Sequence, residues 1–420
     1  MINLQAERAL IGPKIVAPRY QDYCFTNLHQ AIINLLTNDK GDQKLPQSVF
    51  PKGDFSHVFL ILVDSLGYLS FKKFQKYFTL PEGTIISPIT SIFPSTTAAA
   101  LASFSTGLFP QEHGLFEWRL YLPEVGDIIK TLPFCLDGSR QQDQLETLGF
   151  NPEKIFFKKP TIYQKLLKKR VTCFSFNHQD YYKSAFARIA QNGAKLIPFT
   201  NLSELLTTLN KTIIRATEKH SKTFSYVYLD SLDFIGHKYG PQSPYFETEL
   251  AQIALMISKF LIKNLKESLQ SKSLLLITAD HGQIQVNPQK TIYLNRFYKL
   301  KKVLAQNANG KPILATGGPR DIFLHLKKGE KNNTIKYLKE KLNARADVYD
   351  TSQVLKKGWF GNSAVSSKKF QDRLGDVLVL PKKEGTVWLD DGEKKIDKLG
   401  HHGGLSAEEM IIPLISIPLP

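Results

Sequence analysis

Six aspartate and histidine residues with the chemistry of metal ligands stand out in the sequence. Each follows an apolar run or lies in a glycine-rich turn, and they are Asp64, Asp233, His237, Asp280, His281 and His402. Carboxylates and imidazoles without cysteine suit Zn²⁺, or alternatively Mn²⁺ or another divalent ion. Six ligands exceed the needs of one tetrahedral site, but they fit two ions about 4 Å apart, which is the geometry for in-line displacement at phosphorus. Any one of these residues alone could equally be a helix cap or a core histidine.

A hydroxyl-rich segment offers a nucleophile for such chemistry. Ser95, Thr96 and Thr97 follow Phe93-Pro94 and precede a run of alanines. The proline favours extended geometry at the residue before it, hydroxyl residues are good N-caps, and alanine is the strongest helix former. The pattern predicts a hydroxyl on the first turn of a helix, where free N–H groups and the helix dipole favour an anion. The alternative is that these hydroxyls only cap the helix.

Apolar runs must position these residues. Residues 58–63 form a continuous apolar run that predicts a buried parallel strand. The largely apolar segments 224–229 and 274–279 also predict strands, and each of the three leads into an aspartate. Helices are predicted between strands, over residues 27–36, 201–218 and 245–269, whereas residues 110–160 read as irregular. Alternating strands and helices predict an α/β fold with a mostly parallel central sheet, and ligands bind such sheets at the carboxyl ends of the strands.

The alternation of strands and helices changes after residue 290. Strands are predicted over 320–325, 376–380 and 386–389, and a helix over 333–343. We therefore predict one catalytic domain over residues 1–420, with an inserted α+β cap subdomain over residues 290–395.

Composition narrows the class of protein. The 420 residues are 42% apolar, as in ordinary globular proteins, and no apolar run is long enough to span a bilayer. The amino terminus lacks the apolar core of a secretory signal. Three widely spaced cysteines, Cys24, Cys135 and Cys173, favour reduced thiols. These features predict a cytoplasmic protein without a transmembrane segment.

The net charge of +17 has three readings. It could mark a nucleic-acid or membrane partner, a lysine-rich solvated surface, or a field that steers anionic substrates towards a cleft. Because the basic clusters are short and scattered, the sequence favours a small anionic substrate over a dedicated nucleic-acid role.

Five short motifs occur in an order that resembles the alkaline phosphatase superfamily, and within it the type I phosphodiesterase/nucleotide pyrophosphatase branch. The resemblance covers roughly residues 55–290 and 400–415, and it implies an alkaline-phosphatase-like fold. The motifs are Leu62-Val63-Asp64-Ser65-Leu66-Gly67, Phe93-Pro94-Ser95-Thr96-Thr97 with Thr106-Gly107, Asp233 to His237 with Gly240-Pro241, Thr278-Ala279-Asp280-His281-Gly282, and His402-Gly403-Gly404.

This resemblance also implies residue roles. One ion would be held by Asp64, Asp280 and His281, and the other by Asp233, His237 and His402. Thr97 would be the nucleophile, chosen over Thr96 by its spacing from the preceding proline, and would form a phosphothreonine intermediate. His402 is chosen over His401 because it directly precedes the glycine pair.

Two positions depart from the nucleotide-cleaving members of the family. Ala98 stands where an aromatic residue usually follows the nucleophile, and Trp118 stands where an asparagine usually binds a phosphoryl oxygen. We predict Arg119 as a replacement anion clamp and as a catalytic residue. Sulfatase chemistry is excluded because no Cys/Ser-x-Pro-x-Arg motif is present.

The predicted function is a two-metal phosphohydrolase, foremost a phosphodiesterase or nucleotide pyrophosphatase, with zinc or manganese as cofactor. The alternatives are a phosphomonoesterase or phosphomutase of the same superfamily, and a basic nucleic-acid-binding scaffold with a relict metal site.

Overall fold

The computed structural model describes residues 1–12, 15–37, 39, 41–217, 222–268, 273–361, 366–389 and 395–419. Within these residues the strands are β1 (His57–Val63), β2 (Ile85–Thr90), β3 (Arg119–Leu122), β4 (Asp127–Lys130), β5 (Cys135–Leu136), β6 (Thr172–His178), β7 (Lys195–Phe199), β8 (Thr223–Leu229), β9 (Ser273–Thr278), β10 (Ile284–Gln285), β11 (Ile292–Tyr293), β12 (Thr316–Gly318), β13 (Asp321–Leu324), β14 (Ala346–Asp350), β15 (Val377–Pro381), β16 (Val387–Trp388), β17 (Gly400–His401) and β18 (Ile411–Leu419).

Helices occupy much of the chain between these strands. They are α1 (Leu4–Leu10), α2 (Leu28–Thr37), α3 (Tyr68–Phe74), α4 (Thr97–Thr106), α5 (Pro110–His113), α6 (Gln144–Thr147), α7 (Pro152–Phe156), α8 (Ile162–Lys168), α9 (Ala185–Ala190), α10 (Leu202–Thr217), α11 (Ser231–Tyr239), α12 (Pro244–Leu255), α13 (Ile262–Ser268), α14 (Tyr298–Val303), α15 (Lys331–Leu342), α16 (Thr351–Lys356), α17 (Lys368–Leu374) and α18 (Ala407–Met410).

A seven-stranded sheet forms the centre of the molecule. Its strand order is β2-β18-β9-β1-β8-β6-β7. Strand β18 pairs antiparallel with both β2 and β9, and the other four strand pairs are parallel. The prediction of an α/β fold with a mostly parallel central sheet is confirmed. Because β9, β1 and β8 are adjacent and parallel, the residues that follow them meet at one edge of the sheet.

Burial explains why the central strands are largely apolar in sequence. All seven residues of β1 are buried, as are those of β8. Both faces of a mostly parallel sheet are covered by helices, so neither face needs polar residues. Helix α4 is part of this cover, since the Phe104 ring stacks on Tyr226 of β8 with centroids 5.8 Å apart.

A smaller sheet lies within the predicted cap. Strands β12, β13, β15 and β14 pair in that order, and buried apolar side chains of residues 292–389 form a second core beside it. Helices α16 and α17 instead return to the main core, where Phe360 between them packs on Phe93 at 5.2 Å. The inserted segment is therefore only partly a separate packing unit. Residues 362–365 and 390–394 of the predicted cap lie outside the described residues.

Some predicted elements differ from the structure. Residues 110–160, predicted as irregular, hold the antiparallel sheet β3-β4-β5 and short helices, because strands of two to four residues leave no readable periodicity. The predicted long helix over 245–269 is α12 and α13 joined by a π-helical segment, Met256–Leu261. Residues 218 and 269, at the ends of two predicted helices, lie outside the described residues.

Two expectations from composition can be compared with the structure. Cys24, Cys135 and Cys173 are all free and buried. Among the described helices, none combines the length and apolar character needed to cross a membrane.

Candidate metal centre

Three acidic and histidine side chains meet where β1 and β9 end. Asp64 directly follows β1, and Asp280 and His281 follow β9; their ligand atoms all lie within 4.8 Å of one another. All three residues are buried, yet Asp64 Oδ1 and Asp280 Oδ2 have no hydrogen-bond partner in the described part of the chain. Burial, and then the neighbouring carboxylates, raise the pKa of Asp64. Buried carboxylate oxygens without a donor fit a bound cation, and we call this set the first ligand group.

A second ligand group lies beside the first. Asp233 and His237 are one turn apart on α11, so they share a face, and His402 follows β17. His237 Nε2 lies 3.3 Å from Asp233 Oδ2. Burial lowers the pKa of His237 and of His402, which favours the neutral imidazole that a metal ion requires.

All three histidines are oriented in the same way by backbone carbonyls. The Nδ1 contacts are His237 to the Gly400 oxygen at 2.7 Å, His281 to Gly282 at 3.0 Å, and His402 to Ser95 at 2.9 Å. Because a carbonyl oxygen only accepts, each Nδ1–H donates and each Nε2 keeps its lone pair for the centre. This arrangement of outer hydrogen bonds is typical of histidine ligands of metals.

The two ligand groups face each other at short range. The rings of His281 and His402 are stacked, with centroids 3.8 Å apart and planes inclined by 13°. His402 Nε2 also lies 3.9 Å from Asp233 Oδ1. The six side chains singled out in the sequence are therefore brought together as two adjacent sets of three.

Thr97 lies at the first ligand group. It begins α4, and its Oγ1 is 3.1 Å from His281 Nε2 and 3.3 Å from Asp64 Oδ2. Thr96, the N-cap residue of this helix, makes no side-chain capping hydrogen bond. The structure thus places the Thr97 hydroxyl against the predicted ligands. Thr96, the neighbouring residue, was the alternative nucleophile in the sequence.

His401 belongs to neither ligand group. Its ring lies 5.4 Å from that of His237, and its buried Nε2 has no hydrogen-bond partner among the described residues. The residue pairs β17 with β10 instead, opposite Ile284.

Comparison with known proteins places this centre in a family. Residues 58–405 match the family model described as type I phosphodiesterase / nucleotide pyrophosphatase. The chain belongs to this family. The resemblance inferred from the order of motifs is therefore confirmed.

Relatives of the chain in this phosphodiesterase family are distant and longer. Venom phosphodiesterase 2 of Crotalus adamanteus is 24% identical over 247 residues, which are 57% of this chain and 28% of that protein. Human ectonucleotide pyrophosphatase/phosphodiesterase family member 1 is 28% identical over 221 residues, which are 51% of this chain and 22% of that protein. The chain thus spans about a quarter of the length of these curated relatives.

Solved structures of the family share the fold. Murine ectonucleotide pyrophosphatase/phosphodiesterase 5 superposes with a TM-score of 0.61 at 18% identity, covering 85% of this chain and 87% of that chain. An inactive variant of the same murine protein, solved in complex with AMP, gives a TM-score of 0.62 at the same identity and coverage.

The structure shows the surroundings of the residues at which this chain departs from the family motifs. Ala98 is buried, whereas the Trp118 side chain is 38% exposed. Arg119 donates from Nε and Nη2 to Asp137, at 2.8 and 2.6 Å, and its guanidinium lies 4.9 Å from the Trp388 ring centroid. Its role as an anion clamp stays a prediction. The buried Nη1 has no hydrogen-bond partner among the described residues.

Three residues at the centre were missed by sequence reasoning. Tyr228 of β8 donates its hydroxyl to Asp64 Oδ2. Gln283 Nε2 donates to Asp233 Oδ1 at 2.8 Å, and Ser65 Oγ donates to the same oxygen at 3.0 Å. Each lies within a predicted strand or a quoted motif or one residue beyond it, but a sequence pattern does not show where their side chains point.

Proposed function

We propose that this chain is a metal-dependent phosphodiesterase that cleaves a small anionic phosphate ester through Thr97. The observation that carries the proposal is the contact of Thr97 Oγ1 with Asp64 and His281 of the first ligand group. The His281 ring in turn stacks on His402 of the second ligand group. Family membership independently supports hydrolysis of phosphodiester or pyrophosphate bonds. The two features together favour one catalytic centre over a relict site.

Two divalent ions fit the donor set. Asp64, Asp280 and His281 would hold one ion, and Asp233, His237 and His402 the other, with zinc favoured and manganese as the alternative. Such ions supply charge neutralisation at the phosphoryl oxygens and lower the pKa of a hydroxyl or water at the site.

Thr97 would act as the nucleophile. Its Oγ1 forms a bond to phosphorus while the bond from phosphorus to the leaving oxygen breaks, which leaves a phosphothreonine. The hydroxyl proton departs on the side of Asp64 Oδ2, which already accepts its hydrogen bond. The leaving oxygen departs as an anion and takes up a proton from water. Water then attacks phosphorus, the bond to Oγ1 breaks, and the threonine hydroxyl is restored.

Helix α4 would hold the transferred phosphoryl group. Thr97 begins this helix, and the N–H groups of a first helical turn have no acceptor within the helix. These donors and the positive end of the helix dipole point at the place where the anion must lie. The helix thereby supplies binding to the phosphoryl oxygens whether the ester carries a nucleoside or another alcohol.

Hydrolysis of nitrophenyl esters tests this proposal. The metal-stripped protein, reloaded with Zn²⁺ or Mn²⁺, would be assayed with bis(p-nitrophenyl) phosphate, p-nitrophenyl phosphate and the p-nitrophenyl ester of thymidine 5′-phosphate. We expect metal-dependent cleavage of the diesters, and a loss of at least about 1,000-fold in kcat for Thr97→Ala. Thr96→Ala is the matched control, and we expect it to keep turnover.

Other outcomes would assign a different function. Preferential cleavage of the monoester would replace the proposal by a phosphomonoesterase. A Thr97→Ala variant as active as the parent would remove the phosphothreonine step. Binding of two ions without turnover of any ester would contradict the phosphodiesterase proposal.

A further inference from the structure

Ser65 has an unusual backbone conformation between the two ligand groups. It follows Asp64 at the end of β1, is 1% exposed, and has a φ of 70°. That value lies in the left-handed region, which residues with a side chain adopt rarely and glycine adopts freely. A non-glycine residue in such a conformation at a functional site suggests that its side chain has a task.

The contacts of Ser65 reach both ligand groups. Its backbone N–H donates to Asp280 Oδ1 of the first group at 3.4 Å, and its Oγ donates to Asp233 Oδ1 of the second group at 3.0 Å. Ser65 therefore contacts one carboxylate of each ligand group, and it directly follows the third, Asp64, in the chain.

Asp233 is oriented by two donors on one oxygen. Ser65 Oγ and Gln283 Nε2 both donate to Oδ1, while Oδ2 is left to face His237 Nε2 at 3.3 Å. Outer hydrogen bonds of this kind fix the rotamer of a ligating carboxylate and make it ready before an ion arrives. The left-handed turn at Ser65 is what brings a donor from the first group's strand to the second group's carboxylate.

We propose that Ser65 is a positioning residue whose hydroxyl pre-orients Asp233 and thereby sets the metal affinity of the second ligand group. The inference rests on the proposed function, because it requires ions at both groups. Ser65 itself does not touch the reacting atoms. Its hydroxyl connects the segment that contains Asp64 to Asp233, a ligand on helix α11.

Two substitutions distinguish the effect of the Ser65 hydroxyl from that of the backbone conformation. Ser65→Gly removes the hydroxyl and suits the left-handed conformation, whereas Ser65→Ala removes the hydroxyl and keeps the Cβ. We expect both variants to weaken zinc binding at the second group by about 10-fold, as removal of outer-shell partners of metal ligands does. Affinity at the first group stays within about twofold, and kcat returns towards the parent value at high zinc.

Competition between each metal-stripped protein and a chromophoric chelator measures the two zinc affinities. His237→Ala assigns them, because the affinity that it abolishes belongs to the second group. Ser87→Ala is the matched control: Ser87 is a fully buried serine of β2 whose Oγ accepts from Asn3. We expect this control to leave both affinities unchanged, and metal-free Ser65→Gly to melt no lower than the parent.

The outcomes separate this inference from the proposed function. Parent-like affinities at the second group in both Ser65 variants, with two ions bound and diesters cleaved by the parent, would overturn the role of Ser65 alone. Loss of affinity in Ser65→Ala but not in Ser65→Gly would assign the effect to backbone strain and also overturn it. A parent protein that binds fewer than two ions, or that binds two and cleaves no ester, would instead overturn the proposed function.

Discussion

Single hydrogen bonds decide what each side chain of the centre can do. His281 donates from Nδ1 to the Gly282 carbonyl, so its Nε2 is an acceptor and lies 3.1 Å from the Thr97 hydroxyl. Asp64 is held by the Tyr228 hydroxyl on Oδ2, while its Oδ1 has no donor among the described residues. The same carboxylate thus has one oxygen fixed by the protein and one left for a cation.

Arg119 shows how a contact can change the role expected of a residue. Its side chain is 8% exposed and is paired through two nitrogens with Asp137, which is 23% exposed. A guanidinium bound in this way ties β3 to the segment after β5. Because the pair is mostly buried, removal of either side chain leaves the charge of the other less well compensated.

We therefore expect Arg119→Ala and Asp137→Ala to lower the free energy of unfolding, each by about 2–3 kcal/mol. Urea unfolding measures this effect, and the double variant should cost less than the sum of the single ones because the two side chains interact. If Arg119 instead clamps the substrate, Arg119→Ala will raise KM for a phosphodiester while Asp137→Ala will not.

At the scale of elements, three adjacent strands create the centre. Strands β9, β1 and β8 end side by side, and Asp280, Asp64 and Asp233 follow them directly or within the first turn of the next helix. Sequence reasoning could predict this because continuous apolar runs identify buried strands, and parallel strands deliver their carboxyl ends to one edge. The grouping of all six ligand residues rested on that logic and on the order of the motifs.

Other features could not be predicted from the sequence, because they depend on packing between distant segments. Strand β18 inserts antiparallel between β2 and β9, and this pairing depends on contacts between distant segments rather than on its own apolar pattern. The φ of Ser65 and the direction of the Tyr228 hydroxyl depend on packing as well, since neither residue type demands that geometry. The pairing of Arg119 with Asp137 is set by the registers of β3, β4 and β5.

A buried pair of acids joins the cap sheet to the main domain. Glu117 precedes β3, Asp321 begins β13, and their carboxyl groups interact while both are buried. Burial raises the pKa of Glu117 to about 7, and burial followed by Glu117 raises the pKa of Asp321. The folded protein therefore holds a proton here that the unfolded chain releases at lower pH.

This acid pair predicts a stability that falls as pH rises. The part that comes from Glu117 is present below about pH 4.5 and is lost as pH rises through about 7, by about 3 kcal/mol at most. Glu117→Gln is neutral throughout, so its free energy of unfolding relative to the parent should rise between pH 5 and pH 8 at saturating zinc. Urea unfolding measures the difference, with the exposed Glu112→Gln as control, and a pH-independent difference would contradict the prediction.

On the scale of the whole molecule, the centre joins segments from distant parts of the chain. The segment that precedes Thr97 is bound to the turn after His402. Ser95 Oγ donates to the Gly404 carbonyl at 2.9 Å and accepts from the Gly403 N–H at 3.1 Å. Close backbone packing adds to this: a Cβ on Gly282 would lie 2.1 Å from the Glu408 carbonyl oxygen. Any ion bound by both early and late segments would therefore stabilise the whole domain.

Metal removal should reveal this coupling as a change in melting temperature. An ion that binds only the folded state, at 100 times its Kd, stabilises it by about 2.7 kcal/mol, so chelation should lower the melting temperature and zinc should restore it.

Asp280→Asn gives the matched test. Asp280 Oδ2 has no hydrogen-bond partner among the described residues and lies 3.5 Å from His281 Nε2. In the variant, the Nδ2 amide group would take the place of this oxygen and could donate to Nε2. In the parent, a negatively charged oxygen faces the lone pair of Nε2 instead. We expect this variant to melt higher than the parent without metal and to gain less from zinc, as measured by calorimetry. A metal-free Asp280→Asn protein that melts below the parent would show that the first ligand group is not under electrostatic strain without its ion.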